Sequence, residues 1–278
     1  VDDTSTNSLK ILEFMNATEI PVAKGMAKPL VRDLPIDPFS HGDDGLGNTG
    51  LPLPKTELFS KFGPELIVEI INVNPQEITL VATGPLTNIA MALLMDPGIV
   101  NKVKEIILIG GSYGFTKYAY TNATGGNPVS EWNIYVDPEA AELVFNSGMP
   151  IKAIGLDVAT HSNINFRQEN IEKLKRSNNK EAKYVCKLIE FANKRRFESY
   201  SVLIDSLAVA AAIDSDIIKT TAVHVGIETK GELTLGQTVG DIRKHFRWDY
   251  IPLINVAYDA DYDSFLDLVT NELIKKIT

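Results

Sequence analysis

Between Asn127 and Asn133 this chain places two amides, a carboxylate and an indole: Asn127, Glu131, Trp132 and Asn133. Such a set can grip a polyhydroxylated ligand, because each hydroxyl both donates and accepts hydrogen bonds. The Trp face can cover an apolar sugar or base surface while its N–H keeps a partner. The plainer alternative is a polar loop that only caps the helix opened by Asp137-Pro138-Glu139.

Those side chains need elements to aim them. Residues 78–83 and 105–109 are short apolar runs rich in β-branched residues and read as buried strands. Gly84-Pro85 breaks the first before a helix over 86–95, and Gly110-Gly111 closes the second. A helix over 137–147 has Gly148 past its end, and 150–154 is the next strand, continuing through 156–158 towards a loop at His161. Further helices are expected over 64–74, 167–176, 180–200, 205–213 and 263–277, with strand-like runs at 221–226 and 233–239. The chain opens on an amphipathic helix, with Leu9, Leu12 and Met15 at helical spacing and Asp3 or Thr4 as its cap. Three glycines make 41–47 a loop.

Apolar strands alternating with helices predict an α/β fold, a mostly parallel sheet with helices on both faces, in one domain over residues 1–278. Ligands in such sheets bind outside the carboxyl ends of the strands. That places Thr83, the Gly110 turn and the loop after Asp157 around a site walled by residues 112–133.

The net charge of −9 argues against a nucleic-acid partner, since only Lys194-Arg195-Arg196 and Arg243-Lys244 are locally basic. No apolar run is long enough for a bilayer span, so no membrane role is expected. Cys186 is the one cysteine, which excludes an intramolecular disulfide or a Cys-rich zinc site and suits a reducing, cytoplasmic compartment.

Several pieces resemble one family in order along the chain. Val81-Ala82-Thr83-Gly84-Pro85-Leu86-Thr87-Asn88 looks like the strand–turn–helix of the inosine–uridine preferring nucleoside hydrolases. Gly110-Gly111-Ser112, Gly126-Asn127 with Glu131-Trp132-Asn133, and Asp205-Ser206-Leu207-Ala208 are similar to later family motifs, as are His41-Gly42-Asp43-Asp44-Gly45-Leu46-Gly47 and Gly236-Gln237-Thr238-Val239-Gly240-Asp241. The resemblance implies a Ca²⁺-assisted hydrolase that cleaves the N-glycosidic bond of a small-molecule ribonucleoside, through an oxocarbenium-like transition state. It implies Asp205 and the Thr83 carbonyl as metal ligands, Asn127, Glu131 and Asn133 on ribose hydroxyls, and Trp132 beside them. It also puts His41 and Tyr200 near the base, and implies a homodimer or homotetramer.

Each assignment has a structural counterpart. Asp205 is alternatively a helix N-cap, Thr83 an ordinary strand end, and Glu131 the partner of a surface Lys. His41 and Tyr200 serve equally well in packing, and His161 reads as mainly structural.

The chain departs from the family pattern twice. The family opens with a strand ending in Asp-x-Asp-x-x-x-Asp-Asp, which supplies most metal ligands and the general base; no such motif occurs here, so no catalytic base is assigned. The expectation is a sequence that starts inside a longer chain; the alternative is a homologue that binds nucleoside or ribose without turnover. Second, Ile204 stands where many relatives carry a His that helps protonate the departing base, which puts inosine preference in doubt. A dinucleotide-binding oxidoreductase is poorly supported, because Gly110-Gly111-Ser112-Tyr113-Gly114 lacks the G-x-G-x-x-G spacing.

Overall fold

A computed structural model describes residues 1–35, 40–195, 202–245 and 247–275. Helix α1 (Asp2–Met15) is followed in the order of named elements by α2 (Gly63–Val73). Then come β1 (Thr79–Ala82), α3 (Thr87–Met95), β2 (Glu105–Ile109), α4 (Tyr118–Thr121), α5 (Trp132–Val136), α6 (Pro138–Phe145) and β3 (Ile151–Ile154). The remainder holds α7 (Leu156–Ala159), α8 (Gln168–Arg176), α9 (Lys180–Lys194), α10 (Ile204–Ile213), β4 (Ile218–Ile227), β5 (Thr238–Asp241), β6 (Leu253–Ala260) and α11 (Tyr262–Ile274).

The strands form one sheet in the order β1-β2-β3-β6-β4-β5. Strands β1, β2, β3 and β6 run parallel, and the β4–β5 hairpin joins antiparallel through β4. Strand β2 shows why helices cover both faces. Ile106 and Leu108 point into a core with Ile89, Val144 and Phe145, while Ile107 and Ile109 point into the opposite core with Leu207, Ala208 and Phe265. That is the period-two alternation of a strand buried on both sides. Small buried residues, Ala208, Ala210 and Ala211, line the sheet side of α10, which packs across β1 and β2.

Several expectations need correction. Val1, not Asp3 or Thr4, precedes α1, and no side chain caps it. Residues 156–159 form the helical turn α7 rather than continuing a strand. The strand expected at 233–239 starts only at Thr238. Before it the chain reverses, with Gly236 N–H on the Glu228 carbonyl at 2.7 Å and Gln237 N–H on the Thr234 carbonyl at 2.9 Å. Gly236 has φ +75°, and a Cβ there would lie 2.7 Å from Tyr135 Cα, so a β-branched neighbour's propensity could not decide the outcome. The sequence reading missed β6 altogether. Its ladder to β4 slips between Lys219 and Thr220, so Tyr258 is an extra residue and the apolar alternation breaks after Val256.

Candidate functional site

The loop before α5 closes on itself. Thr124 and Gly125 N–H both donate to the Ser130 carbonyl, and Trp132 N–H donates to Thr124 Oγ1 at 2.9 Å. This turns Glu131 inward as the N-cap of α5. Its Oε1 accepts from Asn133 N–H at 2.9 Å, and Oε2 from Ile134 N–H at 3.1 Å. Oε2 also accepts from Gly111 N–H at 3.1 Å, just beyond the end of β2. Gly111 adopts φ +89°, and a Cβ there would meet the Tyr113 hydroxyl at 2.6 Å, so only glycine presents that N–H. Asn133 Nδ2 donates to the Ile109 carbonyl at 3.0 Å, leaving its Oδ1 open. Glu131 and Asn133 are therefore both fastened to the carboxyl end of β2.

Asp205 enters from the other side of the sheet. It is the second residue of α10, whose N-cap is Leu203, so Asp205 does not cap the helix and instead lies in a first turn that favours negative charge. No described residue hydrogen-bonds or ion-pairs with its carboxylate. Burial, helped by the nearby Asp205 charge, pushes the Glu131 carboxyl up to about 7 against its three N–H donors. The protein crowding Asp205 raises its carboxyl to about 6. Asp205 as a residue remains exposed, and solvent screening makes the direction its informative part. Glu131 pairs with no surface Lys; it is 5% exposed. Two carboxylates within electrostatic reach, with no cation opposite among the described residues, make a negative site suited to a positively charged partner or transition state.

This raised protonation has a sign. Both groups bind protons more tightly folded than unfolded, so their contribution to stability is full below about pH 4 and is lost as pH rises through about 6 to 7. For Glu131 the loss is on the order of 3 kcal/mol. The melting-temperature difference between Glu131→Gln and wild type is therefore expected to shift in the variant's favour from pH 4.5 to 8, measured by thermal denaturation across that range. A pH-independent difference refutes it.

The other predicted residues are distributed unevenly. Thr83 is exposed and follows the last residue of β1, on the strand that α10 crosses. Asn127 is tied elsewhere: Nδ2 donates to the Leu235 carbonyl at 2.8 Å and Oδ1 accepts from Val129 N–H at 3.1 Å. That leaves one donor and one lone pair for a ligand. Trp132 is half-buried, with its ring 6.2 Å from that of Tyr135. His41 is exposed in a loop that Asp44 organises and that bonds to α1 through Asn7 and to α9 through Tyr184. Tyr200 lies outside the described residues. His161 stacks on Tyr262 at 4.8 Å and accepts from Asn163 N–H, a packing role. Ile204 opens α10 and packs on the core. A surface concavity of about 570 Å³ between Lys24 and Phe62 includes none of these residues.

Sequence reasoning missed the supports. Gly111 N–H, Thr124 Oγ1 and the Leu235 carbonyl hold the site residues, and Thr238 Oγ1 both accepts from Ser112 N–H and donates to Ser112 O at 2.8 Å. The glycines at 111 and 236 were the available signal.

For a Ca²⁺ ion, the Asp205 carboxylate and Thr83 carbonyl are donors of the right kind. Among the described residues, no cluster of three or more His, Cys, Asp or Glu stands ready to hold a metal, and two donors fall short of six to eight oxygens. These residues do not by themselves make a calcium site. Nor, among the described residues, is any helix long and apolar enough to cross a membrane.

Comparison with known proteins adds to the geometry. A pyrimidine-specific ribonucleoside hydrolase RihA of Enterobacter sp. (strain 638) is 36% identical over 278 residues, covering 98% of this chain and 85% of the relative. Its namesake from Shewanella oneidensis is 38% identical over 283 residues, covering 98% and 83%. A plant nucleoside hydrolase superposes with a TM-score of 0.89 at 31% identity over 99% of this chain and 87% of its own. A purine-preferring ribonucleoside hydrolase from Gardnerella vaginalis gives 0.85 at 28% identity over 98% and 85%. The sequence family described as inosine-uridine preferring nucleoside hydrolase matches residues 1–267, and the chain, a ribonucleoside-hydrolysing enzyme, belongs to it.

Proposed function

We propose that this enzyme acts on pyrimidine ribonucleosides, adding water across the N-glycosidic bond to release free base and ribose. The observation that carries the reading is the Glu131–Asp205 pair, two carboxylates that have no cationic partner among the described residues, at the carboxyl end of the parallel strands. As the glycosidic bond breaks, positive charge grows on the ribosyl carbon and ring oxygen. Fixed carboxylates and the open Oδ1 of Asn133 stabilise it without reorganising. Asn127, Asn133 and Glu131 contact ribose hydroxyls, Trp132 lies along the sugar, and His41 and Tyr200 serve the base side. A divalent-metal requirement, with Asp205 and the Thr83 carbonyl contributing ligands and Ca²⁺ as the ion, is part of the proposal. So are a cytoplasmic location and assembly as a homodimer or homotetramer, which light scattering tests.

Support for a pyrimidine base comes from the relatives at 36% and 38% identity, which are named as pyrimidine-specific, and from Ile204, which has no proton to give a departing purine. The test is release of base and reducing sugar from uridine, cytidine, inosine and adenosine, with and without chelator. Uridine or cytidine is expected to exceed inosine in kcat/KM by about tenfold or more, the scale a single pocket contact supplies. Ile204→His is expected to narrow that gap. Inosine as the better substrate overturns the base assignment, undiminished rates in chelator overturn the metal, and ribose binding without turnover favours the non-catalytic reading.

A further inference from the structure

The Asp137 carboxylate is fully buried and is shared among three elements. Its Oδ1 accepts from Ala140 N–H at 3.1 Å and so caps α6. Its Oδ2 accepts from Thr87 Oγ1 at 2.7 Å, at the first residue of α3, and from Leu30 N–H at 2.9 Å. The last bond belongs to an irregular strap that crosses the starts of both helices. Met26 N–H donates to Asn88 Oδ1 at 2.8 Å, and Gly25 sits so close that a Cβ would lie 2.5 Å from that oxygen. Further along, Arg32 grips Glu139 with Nε and Nη2 and also donates to the Thr229 carbonyl at 2.6 Å.

The placement matters more than the number of bonds. Thr87 lies four residues beyond Thr83, with only the Gly84-Pro85-Leu86 turn between the tip of β1 and the bonded hydroxyl. Asp137 lies four residues beyond Asn133, at the C-terminal cap of α5. One side chain therefore spans the two chain segments that bear on the site from different strands: the exit of β1 and the helix carrying Asn133, with Glu131 at its start. A buried carboxylate with each oxygen occupied tolerates little displacement, since an oxygen left unsatisfied there is costly.

We propose that Asp137 is a positioning residue for nucleoside hydrolysis, fixing through the Thr87 hydroxyl the separation between the β1 exit and the Glu131–Asn133 helix. The idea rests on the hydrolase reading of that site. Neither Asp137 nor Thr87 contacts substrate; a displacement of about 1 Å at the reacting groups is enough to cost up to a hundredfold in rate.

The test is a pair of variants at the partner position, which spares the α6 cap. Thr87→Val keeps the branched shape and removes the O–H; Thr87→Ser restores it. Steady-state kcat and KM for uridine, D-ribose binding by calorimetry and the melting temperature are measured on the full chain. Thr87→Val is expected to lower kcat/KM about tenfold and weaken ribose binding, and Thr87→Ser to return both to within about twofold of wild type. A Thr87→Val protein that melts lower but keeps wild-type kcat, KM and ribose affinity overturns positioning and leaves a purely structural bond. So does a Thr87→Ser protein no better than Thr87→Val. A wild-type chain with neither turnover nor ribose binding overturns the hydrolase reading and the inference with it. If wild type binds ribose without turnover, the binding arm decides positioning alone.

Discussion

Glu131→Gln is expected to reduce kcat/KM for the preferred ribonucleoside by about a thousandfold, the upper range for removing one preorganised electrostatic group. Two effects combine. The negative charge opposite the developing ribosyl cation disappears. The amide also turns an NH₂ either towards the Asn133 N–H that Oε1 now satisfies or towards the Gly111 and Ile134 N–H groups that share Oε2. The displaced N–H must find another acceptor in a buried place, so the loop between β2 and α5 loosens as well. Activity measured on purified protein, with far-ultraviolet circular dichroism to confirm folding, checks the prediction. A variant retaining more than about a third of wild-type kcat/KM removes Glu131 from the reaction.

Asp205→Asn is expected to separate activity from stability. Under the proposed mechanism Asp205 is one of two carboxylates assigned to the ribosyl centre, and its loss should cost about a hundredfold or more in kcat. Yet the folded protein at pH 7.5 is expected to melt at or above the wild-type temperature in the absence of metal. The reason is the crowded setting that raises the Asp205 carboxyl to about 6, so that its charged form is disfavoured by folding at neutral pH. Asp205 makes no cap, and no hydrogen bond to a described residue that the amide would forfeit. A residue whose removal steadies the fold and disables the chemistry is held for function. The opposite pattern, a lower melting temperature with activity kept, assigns Asp205 to the helix start alone.

The sequence announced the parts of this fold that obey one local rule at a time. Strand β2 was visible because both its faces are apolar, and α6 because Asp137 and Pro138 mark its start. Strand β6 was hidden because an extra residue at Tyr258 breaks its alternation, a feature that exists only in its pairing with β4. The candidate site was legible as residue types and much less as geometry. The partner of Glu131 is a backbone N–H twenty residues earlier, and the partner of Asn127 is the carbonyl of Leu235, 108 residues later. Neither bond leaves a side-chain signature at its far end. Asp205 looked like a helix cap by composition; only the position of Leu203 one residue before the helix removes that reading.

The strap over α3 and α6 sets an order of events. Leu30 meets Asp137 across 107 residues, and Arg32 meets Thr229 across 197. Contacts that distant in the chain close late, because the intervening polypeptide must first be confined. On the ribosome, Arg32 waits until Thr229 has emerged before its last anchor exists. The nascent enzyme is thus expected to acquire catalytic competence only after Thr229 has emerged, when β1 to β4 have already been translated.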